Sequence, residues 1–227
     1  QQKPIESQLV KLVIPGTVMM SCTVGNLEIF DLLLKHNPAV NLNVFDEQQQ
    51  SLLLANTNTN EYIIETSPLY EAATSGNLDL VKRIFELAPS QLTLKVGVSN
   101  FTPLMGALKA QSWEIAEFLL QVGDAAAADV KCMTRNLAPY YWTASQSKKF
   151  KGRCNRPIHF AVANAHIFSQ LLEKISNDPI VNEQFSLTDT NENDFNTPLH
   201  CAVIANCFES VRLLIASNKL TEEDLNA

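Results

Sequence analysis

The sequence is short of several residue types that mark particular protein classes. Glycine accounts for 7 of the 227 residues, aromatic residues for 7% and charged residues for 18%, whereas about 25% charged residues is usual in a globular domain. The scarcity of glycine excludes a collagen-like chain. A disordered chain of low hydrophobicity is excluded because 46% of the residues are hydrophobic. The length is compatible with one large domain or two small ones.

Long apolar runs and an N-terminal leader are both missing. The most apolar stretch, residues 9–20, is interrupted by Lys11 and Pro15, and a membrane helix needs about 20 consecutive apolar residues. The chain begins at Gln1, with no initiator methionine and no charged-then-apolar leader. We therefore expect a fragment or a processed product that does not insert into a membrane.

A paired set of cysteines is also lacking. The five cysteines are scattered along the chain at Cys22, Cys132, Cys154, Cys201 and Cys207. An odd, widely spaced set predicts free thiols in a reducing compartment rather than a disulfide framework. We therefore expect a cytoplasmic protein.

Positive charge is in deficit. Lys and Arg number 17 against 24 Asp and Glu, which gives a net charge of −7. Binding to a nucleic-acid backbone needs a basic surface, so this balance argues against a nucleic-acid partner. Polarity comes instead from uncharged amides, with 20 Asn and 12 Gln.

A motif recurs five times along the chain in the same order. Three copies have Ser or Thr before Pro, the fourth has Arg156 before Pro157, and the first is degenerate; small residues, a turn that is mostly Gly or Asn, and apolar residues at helical spacing follow. The hydroxyl caps a helix, proline suits its first position, and Gly or Asn ends it. Each copy therefore predicts a helix-turn-helix hairpin, which must stack on its neighbours to bury its apolar stripe. In the last copy the predicted stripe is Phe208, Val211, Leu214 and Ile215.

The spacing of the copies is irregular. The anchoring prolines are at 68, 103, 157 and 198, and Thr17 takes their place in the first copy. The intervals are thus 51, 35, 54 and 41 residues. Two copies also depart from the turn pattern, since Gln111 replaces the turn glycine in the third and the fourth lacks two residues there.

The motif resembles the ankyrin repeat. The last copy reads Thr-Pro-Leu-His-Cys-Ala at 197–202, and the fourth contains Pro-Ile-His-Phe-Ala at 157–161. The resemblance implies an all-α ankyrin-repeat solenoid of about five helix-turn-helix units, forming a single domain over 1–227. The expected repeats lie at about 12–36, 66–90, 101–123, 155–176 and 196–218. The expected insertions lie at about 37–65, 124–154 and 177–195.

The resemblance also implies a function. Ankyrin-like arrays bind proteins and do no chemistry, so we expect a non-catalytic, monomeric interaction module that binds a protein partner through its concave face. Alignment to the family pattern places Met20, Val24, Glu71, Lys109, Phe160 and Ile204 among the exposed positions of the first helices. We expect Phe160 and Ile204 to be the apolar anchors.

The second insertion is the other expected binding region. It contains an aromatic cluster, Tyr140, Tyr141 and Trp142, and a basic cluster, Lys148, Lys149, Lys151 and Arg153. Aromatic and arginine side chains are frequent anchors of binding hot spots, and a basic cluster can select an acidic partner. Two interpretations stay open, because the same aromatics could instead dock the insertion onto its own array.

Two alternatives concern the biological setting. Irregular arrays with amide-rich insertions resemble those that intracellular bacteria deliver into host cells, so an effector acting on a host protein competes with a eukaryotic cytosolic scaffold. The chain is alternatively a targeting or substrate-recruiting region of a larger enzyme. Residues 221–225 are typical of a further helix start and favour that view.

Catalytic and metal-binding patterns are missing. The sequence has no Gly-rich phosphate loop, no HExxH zinc pattern, no CxxC pair and no GxSxG elbow, so we expect no enzyme activity, cofactor or metal. Cys154 and His159 form the nearest Cys–His pair. We expect His159 and His200 to form hydrogen bonds between neighbouring repeats, and Cys22 to lie in the core as a small hydrophobic residue.

Overall fold

The structure, a computed structural model, describes residues 16–42, 66–97, 101–128, 156–184, 187, 196–217 and 220. These residues are helical, apart from connecting turns and one antiparallel bridge between Val96 and Phe101. In chain order the α-helices are α1 (Gly16–Val24), α2 (Leu27–His36), α3 (Pro68–Ser75), α4 (Leu78–Leu87), α5 (Pro103–Lys109), α6 (Trp113–Val122), α7 (Ala125–Ala128), α8 (Pro157–Ala161), α9 (Ala165–Ser176), α10 (Pro179–Gln184), α11 (Pro198–Ile204) and α12 (Phe208–Ala216). A 3-10 helix, Pro89–Thr93, follows α4.

Five helix pairs reproduce the five copies of the motif. They are α1/α2, α3/α4, α5/α6, α8/α9 and α11/α12. The first helices begin where the sequence predicts, because Ser67, Thr102 and Thr197 each accept a hydrogen bond from a backbone N–H three residues later. The predicted all-α architecture of helix-turn-helix repeats is thereby confirmed.

Four of the five turns within the pairs use left-handed backbone. Gly25 and Gly76 have φ of 73° and 86°, and Asn206 has φ of 53°. Gln111 also adopts φ of 57°, so the third turn keeps its geometry although a side chain disfavours it. The predicted motif did not include a cap for the second helix, but Asn77, which follows the turn, caps α4, and its Oδ1 accepts from Leu80 N at 3.0 Å.

The described residues fall into two compact units. The first contains the described residues up to Ile115 and the second those from Ala116, so the division lies within α6. In the first unit α1 packs against α3 and α3 packs against α5. In the second unit α8 packs against α11 and α9 packs against α12. The expected single domain over 1–227 stays a prediction.

Each unit has an apolar core built from the predicted stripes. Buried residues of the first unit include Phe30, Leu69, Leu80, Ile84 and Met105. Buried residues of the second include Ile158, Ile167, Phe168, Leu171 and Leu214. The stripe predicted for the last repeat is partly wrong, since Phe208 is 79% exposed and Ile215 is 54% exposed.

Two short helices lie in segments that the sequence analysis treated as insertions. Helix α7 begins the second insertion and packs against α9, with Ala127 and Ala128 buried. Helix α10 lies in the third insertion, and Asp178 caps it by accepting from Ile180 N and Val181 N. Neither helix is long enough to show a helical period in the sequence. The extra helix predicted at 51–55 lies outside the described residues.

Close approach of α3 and α5 depends on a glycine. The ring of Tyr70 packs against Leu94 and Val96 and lies over Gly106. A Cβ atom at Gly106 would lie 2.9 Å from Tyr70 Cε2 and 3.1 Å from Thr74 Cγ2. Because Leu94 and Val96 hold the Tyr70 ring in place, a methyl group at position 106 does not fit.

We expect Gly106→Ala to lower the free energy of unfolding by about 1–3 kcal/mol, because the added methyl overpacks the α3–α5 contact. Gly16→Ala is the matched control, since nothing lies within 4 Å of a Cβ at that position. Urea denaturation of both variants measures the difference. Equal stability of the two variants would contradict the close contact.

A buried glutamine ties the start of the first insertion to the second repeat. Gln91 in the 3-10 helix is fully buried. Its Nε2 donates to the Leu42 carbonyl at 2.6 Å, and its Oε1 accepts from Leu69 N at 3.0 Å. One amide group therefore satisfies two buried backbone groups that are distant in sequence.

Replacing Gln91 by alanine should cost about 3 kcal/mol of stability, because it leaves a buried N–H and a buried carbonyl without this partner. Gln121→Ala is the control, since Gln121 is exposed on α6 and surface changes rarely exceed about 0.5 kcal/mol. Denaturant unfolding compares the two. A similar loss in both variants would show that Gln91 has no special role.

Candidate functional site

The predicted binding positions on the first helices of each unit are the candidate binding residues, and we call this set of residues the strip. In the first unit, Glu71 lies on α3 and Lys109 on α5, two helices that pack side by side. In the second unit, Phe160 lies on α8 and Ile204 on α11, which also pack together. The structure thus brings the predicted residues onto neighbouring helices within each unit.

The two charged groups of the strip are held in place. Glu71 Oε1 accepts a hydrogen bond from Thr66 Oγ1 at 2.6 Å. Lys109 Nζ lies 5.3 Å from the centre of the Phe101 ring, a cation–π distance. Groups ordered in advance lose less conformational entropy when a partner binds.

The apolar positions of the strip differ in exposure. Ile204 is 71% exposed, whereas Phe160 is half-buried. On α1, at the start of the first unit, Met20 and Val24 are also mostly exposed. Ile204 therefore offers more apolar surface to a partner than Phe160, although the sequence suggested equal anchors.

The predicted residues of the second insertion lie outside the described residues. They are Tyr140, Tyr141, Trp142, Lys148, Lys149, Lys151 and Arg153. Their part in binding stays a prediction.

His159 and His200 each accept a hydrogen bond at the N-terminus of their own helix. Arg156 N donates to His159 Nδ1 at 3.1 Å, and Thr197 N donates to His200 Nδ1 at 3.3 Å. These Nδ1 bonds lie within one repeat, and the hydrogen bonds that the sequence predicts between repeats stay a prediction.

A third histidine belongs to a polar cluster rather than standing alone. Glu117 Oε1 accepts from Gln170 Nε2 at 2.9 Å and lies 3.3 Å from His166 Nε2. The Gln170 hydrogen bond, and secondarily that of His166, lowers the pKa of the Glu117 carboxyl. Among the residues that the structure describes, no three His, Cys, Asp or Glu side chains are grouped to hold a metal ion.

Cys22 occupies the core, as the sequence predicts. Its side chain is fully buried on α1, and burial raises the pKa of the thiol to about 12. The thiol is therefore protonated at neutral pH, and a protonated thiol is a poor nucleophile.

We expect iodoacetamide to leave Cys22 unmodified in the native protein at neutral pH and to modify it after denaturation. The half-buried Cys207 is the internal comparison and should react faster. Peptide mass spectrometry resolves the two sites. Native labelling of Cys22 at the rate of Cys207 would contradict the raised pKa.

The geometry of the helix pairs and the comparison with family models point to the same class of protein. Hairpins that stack within each unit, each with a short first helix and an apolar second helix, define a helical-repeat protein. The family model described as the ankyrin repeat matches residues 194–227, the span that contains α11 and α12. The chain therefore contains an ankyrin repeat at residues 194–227. No curated protein matches it significantly.

The ankyrin-repeat match indicates a general function. Ankyrin repeats are interaction modules that bind protein partners, so the match supports a protein-interaction function in general. None of the described helices combines the length and apolar character needed to cross a membrane.

Proposed function

We propose that the chain binds its protein partner through the strip and the 124–154 insertion. The observation that carries the proposal is the 71% exposure of Ile204 at the end of a first helix. Large exposed aliphatic side chains on a rigid element are suited to fill a pocket in a partner, and such anchors carry much of the binding energy.

The charged members of the strip support specificity. Glu71 and Lys109 lie on neighbouring helices and carry opposite charges. A partner that presents the complementary pair would match both, whereas a partner of uniform charge would meet one repulsive contact. We infer that the partner surface carries both signs of charge opposite α3 and α5.

The insertion adds the aromatic and basic clusters, and its contribution is tested by deletion. The deletion should begin after Ala128, because Ala127 and Ala128 are buried against α9. It should end before Arg156, which is also fully buried. Removing residues 130–154 in this way spares the buried residues that the structure describes on either side.

The decisive variant is Ile204→Asp, with Ile180→Asp as its matched control. Both isoleucines are in the second unit, and their exposed fractions are 71% and 72%. Ile204→Asp should weaken partner affinity at least about tenfold, because one buried apolar anchor is worth that much. Ile180→Asp should leave the affinity unchanged.

The partner is first captured with the wild-type chain and identified by quantitative mass spectrometry. Calorimetry on the purified pair then gives the affinities of the two variants and of the 130–154 deletion. Melting temperatures near the wild-type value show that each variant folds. If Ile204→Asp and Ile180→Asp bind equally well, the strip is not the binding surface.

Two more specific forms of the proposal concern the biological setting in which the protein acts. The amide-rich insertion at 37–65 supports an effector acting on a host protein, which a translocation assay tests. The recruiting region of a larger enzyme is the other version, which the full open reading frame tests.

A further inference from the structure

The first repeat exposes apolar residues at positions that are buried in the other repeats. Counted along each second helix, the third position is Ile29 in α2, which is 47% exposed. Its equivalents are at most 1% exposed: Leu80, Ile115, Ile167 and Ser210. The seventh position is Leu33 in α2, which is half-buried. Its equivalents are again at most 1% exposed: Ile84, Leu119, Leu171 and Leu214. Ile29, Leu33 and the 55%-exposed Leu32 lie on one side of α2, and we call these three residues the first edge.

The second helices of successive repeats meet in a fixed register within each unit. In the first unit, Asp31 at the fifth position of α2 pairs with Arg83 at the sixth position of α4, at 3.1 Å. In the second unit, Glu117 at the fifth position of α6 accepts from Gln170 Nε2 at the sixth position of α9, at 2.9 Å. The sixth position therefore faces the preceding second helix. In α2 this residue is Leu32, so the first edge is the side of α2 on which a preceding second helix would pack.

The segment before α1 carries the sequence pattern of a second helix. Residues 9–14 read Leu-Val-Lys-Leu-Val-Ile, and residues 80–85 of α4 read Leu-Val-Lys-Arg-Ile-Phe. If residue 7 is the first position, as residue 78 is in α4, both have apolar residues at the third, fourth, seventh and eighth positions. The last repeat reads Val-Arg-Leu-Leu-Ile at 211–215 and follows the same pattern. Residues 1–15 lie outside the described residues, so this match rests on the sequence.

The place of the segment in the chain fits the same role. Residues 9–14 are followed by Pro15 and then by Gly16, the first residue of α1. Helices usually end at or before the residue that precedes a proline, so a helix over 7–14 would end at Ile14. Because the two helices of a hairpin run in opposite directions, a second helix ends on the side of the array where the next first helix begins. A short link to α1 is therefore sufficient.

The register identifies the residues of the segment that would face α2. Val10 takes the fourth position and Ile14 the eighth, on the same side of a helix. The residues at the fourth position are fully buried in four repeats: Phe30, Val81, Ala116 and Phe168. The equivalent residue of the last described repeat, Val211, is half-buried. Burial at the fourth position thus follows the presence of a following repeat, and for Val10 that repeat is α1/α2.

We propose that residues 7–14 of this chain form a second helix that packs on the first edge, with Val10 and Ile14 against α2. The array then has a half repeat ahead of its first hairpin, and apolar surface of α2 is removed from water. The shared pattern and the direct link to α1 select this segment as the occupant. The proposal does not depend on the strip.

Crosslinking of paired cysteines tests the register. Lys11→Cys at the fifth position should lie beside Leu32→Cys at the sixth position of α2, as Asp31 lies beside Arg83. The matched control moves the first cysteine by one residue, to Leu12→Cys, which should point away from α2. Both pairs are made with Cys132, Cys154, Cys201 and Cys207 replaced by serine.

A short bismaleimide should join the first pair at least about tenfold faster than the control pair, because only the first pair is held close together. Peptide mass spectrometry identifies the product. Equal rates would mean that the segment is not docked in this register, and the proposal would be overturned. The same conclusion follows if neither pair reacts.

Hydrogen exchange tests whether the segment protects the first hairpin. Val10→Asp should speed amide exchange in α1 and α2 at least about tenfold, because the first edge loses its cover. Leu12→Asp is the control, since its equivalents Arg83 and Arg212 are exposed, and it should leave exchange unchanged. Exchange in α12 should not change in either variant.

A milder variant keeps the test decisive if Val10→Asp unfolds the chain. Val10→Ala should speed exchange in the same two helices by a smaller factor. Equal exchange in the Val10 and Leu12 variants would contradict the proposal and would mean that something other than residues 7–14 covers the first edge.

This proposal and the proposed function fail separately. Ile204→Asp lies in the second unit and should change neither the crosslinking rates nor the exchange of α1 and α2. Loss of partner binding in Ile204→Asp with unchanged crosslinking supports both proposals. Unequal crosslinking with unchanged partner binding would overturn the strip alone.

Discussion

The structure depends on one constraint: a single helix pair cannot bury its own apolar face. Helix α3 leaves Ala72 and Ala73 to be covered by a neighbour, and both are fully buried in the stack. Close stacking in turn requires small residues at the contact, which is why Gly106 lies under the ring of Tyr70. The caps, the left-handed turns and the small residues all serve to present one hairpin to the next in the same orientation.

The same constraint determines which residues are available for function. A position that stacking buries in every repeat is not available to a binding partner, whereas a position at the end of a first helix can stay exposed. Lys109 and Ile204 occupy positions of the second kind, so their identity is free to vary without loss of the fold. Binding specificity in such an array is therefore a property of side chains that do little for stability.

The sequence predicted the features that depend on local chemistry. Helix starts at Ser67 and Thr197 follow from hydroxyl caps before proline, and the turns follow from glycine and asparagine. Features that depend on distant residues were not predictable. The side chain of Gln91 bonds to groups 22 and 49 residues away, and no local pattern marks it. The exposure of Phe208 was missed for a related reason, because periodicity shows which side of a helix is apolar but not whether a neighbour covers it.

Irregular spacing of the repeats is compatible with regular stacking for an entropic reason. The entropy cost of closing a loop rises only slowly with its length. A long connection between the second helix of one repeat and the first helix of the next therefore costs little more than a short one. The connection must only begin and end at positions that leave the contact between successive hairpins unchanged. Gln91 meets this need by fixing the Leu42 carbonyl, just after α2, to the repeat that follows. With the Leu42 carbonyl held by the array, the insertion can change in length and composition while the contacts between hairpins are kept.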